Sequence, residues 1–303
     1  MGSPILHRPV LLREALEFLK VRPDGTYIDA TLGTGGHGEE ILKVLRRGKG
    51  KLLGIDRDPA ALAHARDRLR EFGEQLIVQH GNFDEIDSLH AAAGLPPADG
   101  LLADLGLSSL QLEDAARGFS FSLSGPLDMR MDPDTSVTAE ELVNRSSEHK
   151  LADLIFKFGE ERHSRRIARA IVKARPIRKT TELAQVVTRA IPSRAGLYQI
   201  HPATRTFMAL RLAVNRELES LETFLGKALS VLAPGGRVVL LAFHSLEDRV
   251  VKRAFQVWKG SGEAVVLTRK VVRPSEGEVR ANPRARSARL RAAEKSGTRQ
   301  AGT

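Results

Sequence analysis

Apolar and polar positions follow one another along this chain in blocks that predict a repeating order of strands and helices. Val10, Leu11, Leu12, Ala15, Leu16 and Leu19 recur at helical spacing and predict a first helix over 7–19. Short β-prone runs follow at 26–32, 51–56, 75–79 and 100–105, with helix-like stretches between them. Pro59 suits an early position in the helix predicted over 59–72. Strands alternating with helices at this rhythm predict an α/β fold built on a parallel sheet, with ligands at the strands' C-terminal ends.

The rhythm stops near Gln111. Residues 114–134 are rich in Gly, Ser, Pro, Asp and Met, yet too apolar for a linker, and read as a structured loop. Helical patterns then cover 138–144, 147–158, 160–174 and 180–191, with Ser147 and Thr180 among the hydroxyls available for capping. After Pro202 the pattern predicts one long helix over 204–229, a turn at 233–236 and a buried strand over 237–243. A further helix opens at His244, and a closing strand pair is expected at 264–269 and 288–292, joined by a basic, mobile linker. The organisation expected is a discontinuous core, 1–112 and 202–303, with a helical insertion at 113–201 the size of a small domain.

The chain is organised around Tyr27-Ile28-Asp29-Ala30-Thr31-Leu32-Gly33-Thr34-Gly35-Gly36-His37, where an apolar run ends in glycines and a helix begins. Gly33, Gly35 and Gly38 satisfy G-x-G-x-x-G, which nicotinamide, flavin and S-adenosylmethionine sites share. Asp56 closes the next β-prone run, at a spacing suited to a ribose diol. Three features favour S-adenosylmethionine. Asp29 lies near the end of the first strand, Asn82-Phe83-Asp84 follows the third, and Asp104 closes the fourth. Acids suit a cationic donor and would repel a dinucleotide's pyrophosphate. Duller roles stay open: Asp104 as a cap, Phe83 as core, His37 as a helix-start residue without ligand contact.

Composition changes this picture in two ways. The 303 residues contain no cysteine, which excludes disulfides, thiolate metal sites and cysteine nucleophiles and favours a cytoplasmic setting. No apolar run approaches the ~20 residues of a membrane span, no signal peptide is expected, and no metal-ligand cluster has standard spacing. The net charge of +10 is unevenly spread. Residues 1–144 carry 15 basic and 23 acidic side chains, whereas 145–216 carry 16 and 5, and 280–303 carry 7 and 1. Basic regions beside an acidic cofactor half suggest a polyanionic partner such as nucleic acid.

Asp104-Leu105-Gly106-Leu107-Ser108-Ser109-Leu110-Gln111-Leu112, Arg117-Gly118-Phe119-Ser120-Phe121 and Pro126-Leu127-Asp128-Met129-Arg130-Met131-Asp132 make the chain recognisable. With His201-Pro202-Ala203-Thr204-Arg205, Phe243-His244-Ser245-Leu246-Glu247-Asp248-Arg249 and Asn282-Pro283-Arg284-Ala285-Arg286-Ser287, it closely resembles the bacterial 16S rRNA cytosine-N4 methyltransferase family over nearly its whole length. The resemblance implies a Rossmann-like methyltransferase core with an inserted helical domain. It also implies S-adenosylmethionine-dependent methylation of N4 of one cytidine in the decoding region of small-subunit rRNA. Cofactor contacts carried over are Gly35, Gly36, His37, Asp56, Phe83, Asp104 and Gln111.

N4 is a hydrogen-bond donor, so a carboxylate is its natural partner. Asp104 leads as catalytic residue, with Ser108, Ser109 and His244 lining the base pocket. Arg162, Arg165, Arg166 and Arg169 share one helical face that Lys173 continues, and Arg205, Arg211 and Arg216 follow. These are expected to grip phosphates of 16S rRNA within a small subunit or its precursor. A nicotinamide oxidoreductase and a non-catalytic RNA-binding assembly factor are the competing readings.

Overall fold

The β-prone runs and their helices form in the expected order. A computed structural model of the chain describes residues 9–191 and 201–297. The first stretch runs α1 (Leu12–Leu19), β1 (Thr26–Asp29), α2 (Gly36–Leu45), β2 (Lys51–Asp56), α3 (Pro59–Arg68), β3 (Leu76–His80), α4 (Ile86–Ala92) and β4 (Ala98–Asp104). Helices α5 (Ser109–Glu113), α6 (Ala139–Arg145), α7 (Glu148–Gly159), α8 (Ser164–Ala174), α9 (Thr180–Ala190) and α10 (Thr204–Val214) come next. The chain closes with α11 (Glu217–Ala228), β5 (Leu232–Ala242), α12 (Ser245–Ser261), β6 (Ala264–Val266), α13 (Glu276–Ala281) and β7 (Arg289–Lys295). Two units emerge: 1–106 with 218–303, and 107–217.

In the first unit the described strands form one seven-stranded sheet in the order β3-β2-β1-β4-β5-β7-β6. Strands β1 to β5 are parallel, and β7 runs antiparallel to both β5 and β6. This is a doubly wound, Rossmann-like sheet. Strand β5 explains why both faces need helices: Val238 and Leu240 enter one core while Val239 and Leu241 enter the other. The first core gathers Phe224 of α11 and Phe255 and Trp258 of α12; the second gathers Leu19 of α1, Ile41 and Leu45 of α2 and Leu62 of α3. Strand order reverses between β1 and β4, which is where an open α/β sheet leaves a crevice for a ligand.

The second unit is helical and has its own core. Ile155 of α7, Ile167 and Ile171 of α8, Leu183 and Val187 of α9, and Phe207 and Leu210 of α10 pack together with Leu127, Met129 and Met131 of the expected structured loop. That loop is fastened by arginines. Arg130 forks onto Asp128 at 2.8 and 2.9 Å and donates to the carbonyls of Pro133 and Thr135. Arg117 Nη2 donates to the carbonyls of Arg130 and Met131. Gly118 sits at φ 71°, where an added Cβ would lie 2.1 Å from the Pro126 carbonyl oxygen, so only glycine lets the two backbones approach. The unit is wider than the expected 113–201 because α10 belongs to its core.

Four expectations are corrected. The turn expected at 233–236 lies inside β5, which already begins at Leu232 and shifts register against β4 there. The long helix over 204–229 is two helices, α10 and α11. Arg216, between them, takes φ +48°, and buried Asn215 turns its side chain to the loop. Its Nδ2 donates to the Met129 and Arg211 carbonyls, and its Oδ1 accepts from the Met131 amide at 2.7 Å. The apolar periodicity runs on through this break, so nothing in the pattern marks it. The expected mobile linker before the last strand is instead folded: it holds α13 and a 3-10 turn, Pro283–Ser287, with Ala285 buried. Glu278 of α13 accepts from the Leu11 amide at 2.7 Å. The first helix starts at Leu12 and not earlier: Val10 and Leu11 of its expected span form a turn with Leu11 at φ 51°, and residues 7 and 8 lie outside the described residues.

Asn215→Ala strands the Met131 amide and the Met129 carbonyl in the core, and the expected loss is about 2–4 kcal/mol. Urea unfolding of the full chain measures it, and hydrogen exchange at the Met131 amide should accelerate in step.

Candidate active site

Three acids close three neighbouring strands: Asp29 on β1, Asp56 on β2 and Asp104 on β4. Between them runs the glycine loop. Gly35 takes φ +84°, and a Cβ there would lie 2.8 Å from Leu69 Cδ1, so the turn into α2 admits only glycine. Asp56 shapes this loop: its Oδ2 accepts from the Gly33 amide at 2.7 Å and its Oδ1 from the Asp58 amide at 2.9 Å. Each oxygen keeps a lone pair, so the ribose role expected for Asp56 stays open alongside the bracing one.

Asp29 is 1% exposed; its Oδ1 accepts from the Thr31 amide at 3.2 Å. The Thr31 hydroxyl accepts from the Asp104 amide at 2.6 Å and ties the two strand ends together. Two carboxylate oxygens, Asp29 Oδ2 and Asp104 Oδ1, are buried with no hydrogen-bond partner among the described residues. His37, 6% exposed at the start of α2, sits with Nε2 3.1 Å from the Val10 carbonyl oxygen and Nδ1 3.5 Å from Asp104 Oδ2. A carbonyl only accepts, so Nε2 carries the hydrogen. In neutral His37, Nδ1 then offers a lone pair to Asp104, which suits a protonated carboxyl.

The electrostatics agree. Burial pushes the Asp104 carboxyl up to about 8, and the charges of Asp29 and Glu247 add to the rise. Burial likewise raises Asp29 to about 7, opposed by the Thr31 amide and helped by Asp56. Asp56 is raised as well, by burial first, with the Asp58 and Gly33 amides holding it back. Asp29 is almost fully buried, Asp56 and Asp104 are half-buried, and Asp29 and Asp104 each keep a buried oxygen without a partner among the described residues; such a cluster favours a cation with N–H groups to donate. The methionine end of S-adenosylmethionine has that chemistry, so the residues present fit it. Among the described residues no group of three metal-ligating side chains comes together.

The other expected residues fall as follows. Gly36 opens α2, and a Cβ on it would press Pro9 Cγ at 2.8 Å. Phe83 follows β3 half-buried, its ring edge-to-face with Phe224 at 5.1 Å, so core packing claims one side of it. His244 caps α12: its Nδ1 accepts from the Glu247 amide, and Glu247 Oε1 lies 3.0 Å from its Nε2. Ser108, Ser109 and Gln111 belong to the second unit. There Ser108 caps α5 and Gln111 answers it, Oε1 accepting from the Ser108 amide at 3.0 Å, while Ser109 is the first residue of the helix.

Among the basic residues, Arg165, Arg166, Arg169 and Lys173 stand exposed on α8 opposite its buried Ile167, Ala168 and Ile171, and Arg162 is exposed in the turn before it. Arg205 on α10 is exposed, and Arg216 is exposed after it. Arg211 departs from the phosphate-gripping set. It is 14% exposed and forked onto Glu217 at 2.8 and 2.9 Å, a pair that closes the end of α10.

Glu247 was missed as a site residue. It is 3% exposed, takes the Phe243 amide at 2.8 Å and the His244 amide at 3.2 Å, and raises Asp104 from the neighbouring strand end. Its signal was the His244-x-x-Glu247 capping spacing.

An unfolded aspartate ionises near about pH 4, so between about pH 4 and 8 the folded chain holds protons that the unfolded chain has released. The stability assigned to Asp29 and Asp104 therefore falls as pH rises through that window and levels off above it. Asp104→Asn removes Asp104's share, so its melting temperature relative to the unsubstituted chain should be higher at about pH 9 than at about pH 5. Paired thermal melts at the two pH values measure the difference.

A sequence profile of the MraW methylase family matches residues 4–296. The chain is 50% identical over 314 residues to ribosomal RNA small subunit methyltransferase H of Syntrophobacter fumaroxidans, covering 98% of both chains. It is 51% identical over 295 residues to the protein of the same name from Koribacter versatilis, covering 95% of this chain and 93% of that one. The fold, the acids at the strand tips and the near-complete match converge: the chain belongs to the MraW methylase family.

Proposed function

We propose that this protein methylates N4 of one cytidine in the decoding region of 16S rRNA, within a small ribosomal subunit or its precursor. The coarser statement, an S-adenosylmethionine-dependent rRNA methyltransferase, follows from the family and its relatives. The observation that carries the finer reading is Asp104 Oδ1, a buried carboxylate oxygen without a partner among the described residues, at the tip of β4 beside the glycine loop.

When bound, S-adenosylmethionine supplies an electrophilic methyl group. Asp29 and Asp104 would hold its cationic end, Asp56 its ribose, and Phe83 the adenine side, with Gly35, Gly36 and His37 lining the loop. Asp104 also does the chemistry on the substrate side. Its carboxylate accepts a hydrogen bond from the N4 amine, orients the nitrogen lone pair and receives the proton that N4 gives up. The proton Asp104 carries in the free chain leaves first, and a cation beside it drives that ionisation. The Nδ1 lone pair of His244 is taken by the Glu247 amide, which favours Asp104 as the acceptor. The base must leave its stack to reach a strand tip. The exposed α8 stripe meets phosphates and supplies affinity with little sequence reading.

Incubation of unmodified small subunits with the chain and S-adenosylmethionine, followed by mass mapping of the rRNA, should find one N4-methylated cytidine in the decoding region. Methylation elsewhere or none would overturn the assignment. Asp104→Asn should lower turnover by roughly a hundredfold or more, and binding of S-adenosylhomocysteine to the unsubstituted chain should release protons between about pH 6 and 8, seen as a buffer-dependent calorimetric enthalpy. Alanine at Arg165, Arg166, Arg169 and Lys173 together should flatten the plot of log affinity for rRNA against log salt by about 0.7–0.9 for each phosphate no longer neutralised.

A further inference from the structure

The basic residues of the first unit have no part in the methyl-transfer mechanism. From Arg249 to Arg291 the chain carries 12 basic and 3 acidic side chains. Most of the acids near this run are already engaged within the unit. Asp248 is taken by Arg291 at 2.7 Å, Glu294 by Arg237 at 2.8 Å, and Glu278 by the Leu11 amide. Arg286 and Arg289 have no acceptor among the described residues. Arg286 is exposed in the 3-10 turn before β7. Arg289 is different in kind: it is half-buried, and its Nη1 is sealed from solvent with nothing to donate to. A guanidinium nitrogen stripped of water and left unpaired costs the fold stability and returns nothing unless a ligand completes it.

Its position says which ligand. Arg289 begins β7, directly across from Ala242 at the C-terminal end of β5. Asp104 lies across from Leu241 on the other side of β5. Two strand spacings, about 10 Å, therefore separate the backbones of Arg289 and Asp104 at the C-terminal rim of the sheet, where the two residues stand on opposite faces. Arg291, two residues on and on the same face of β7, bonds Asp248 of α12, so Arg289 stands on the α12 side, nearer the rim. Lys252 and Arg253 are exposed on the outer surface of α12. The rim of the sheet thus passes from acidic at β1, β2 and β4 to basic beyond β5.

We propose that Arg289, with Arg286, forms a phosphate-binding site of the first unit that grips the RNA backbone beside the target nucleotide. This rests on the rRNA methylation proposed for the chain and adds a grip that the α8 stripe does not supply. The guanidinium fork fits a phosphodiester with two parallel N–H···O bonds, whereas a neutral base edge would leave the charge unanswered. Holding the strand next to the extruded base fixes the nucleotide's reach.

The test uses the full chain with Arg289→Gln, Arg289→Lys and Arg286→Gln. Filter binding of a labelled 16S rRNA transcript across a salt series is read beside S-adenosylhomocysteine affinity by calorimetry and thermal melts. Arg289→Gln should weaken transcript binding by roughly tenfold and lower the salt slope by about one. Its melting temperature should hold or rise, and its affinity for S-adenosylhomocysteine should not change. Arg289→Lys should keep the slope and recover part of the affinity. Arg286→Gln, on the surface, should lower the slope without touching stability. Unchanged transcript affinity and slope in Arg289→Gln, while the unsubstituted chain methylates rRNA, would overturn this proposal alone. So would a matching loss of S-adenosylhomocysteine affinity, which would assign Arg289 to the cofactor, or a fall in melting temperature, which would make it structural. If the unsubstituted chain neither binds nor methylates rRNA, the function beneath the proposal falls and takes it along.

Discussion

Carboxylates buried or half-buried at the tips of adjacent parallel strands are the constraint on which the first unit depends. Each of Asp29, Asp56 and Asp104 would be cheaper in solvent, and burial raises all three. They are held there because the strands beneath them are sealed on both faces: Ile28, Leu53 and Leu101 in one core, Tyr27, Leu52 and Leu102 in the other. The Thr31 hydroxyl and the Gly33 amide then fix the loop against the acids. Burying acids there costs stability that a bound cation would restore, which is how preorganised sites are usually built.

The rest of the chain divides the labour by charge. The first unit places acids at the tips of β1, β2 and β4, where a cationic methyl donor would suit them, and carries an excess of basic side chains beyond β5. The second unit commits its polar groups to its own architecture. Arg117, Arg130, Arg175 and Asn215 all turn inward to backbone carbonyls or a carboxylate, while α8 sends its arginines outward. A basic total does not separate these two uses. Arg211 and Arg165 count alike in the net charge, yet one locks a helix end and the other faces solvent.

Much of this was legible in the sequence, and the reasons are local. Alternation of apolar runs with glycines and acids located every strand from β1 to β5, because buried parallel strands read as short apolar blocks. The glycine loop and the three acids were legible because backbone geometry and strand ends tie them to fixed spacings. What escaped depends on partners distant in sequence. The break at Asn215 is set by Met129 and Met131, more than eighty residues earlier. The linker was expected to be mobile because its charge and prolines are local, whereas the Glu278 bond to Leu11 that helps order it spans 267 residues. Ser108, Gln111 and His244 read as chemistry and prove to be caps as well, since the same donors and acceptors serve both ends.

The position of β7 has a consequence for how such a chain is made. It lies between β5 and β6, yet it is the last strand in sequence among the described residues. Until it has left the ribosome, β5 lacks one neighbour and β6 has none, so their backbone edges stay bare. The uninterrupted second unit can complete its core earlier, because all of its residues are already out. During synthesis the second unit is therefore complete in sequence while the sheet is still open to proteases and chaperones, for the time it takes to add the residues from Leu218 to the end of β7. A premature stop before β7 leaves β5 with a bare edge and β6 without a partner, even with the glycine loop intact.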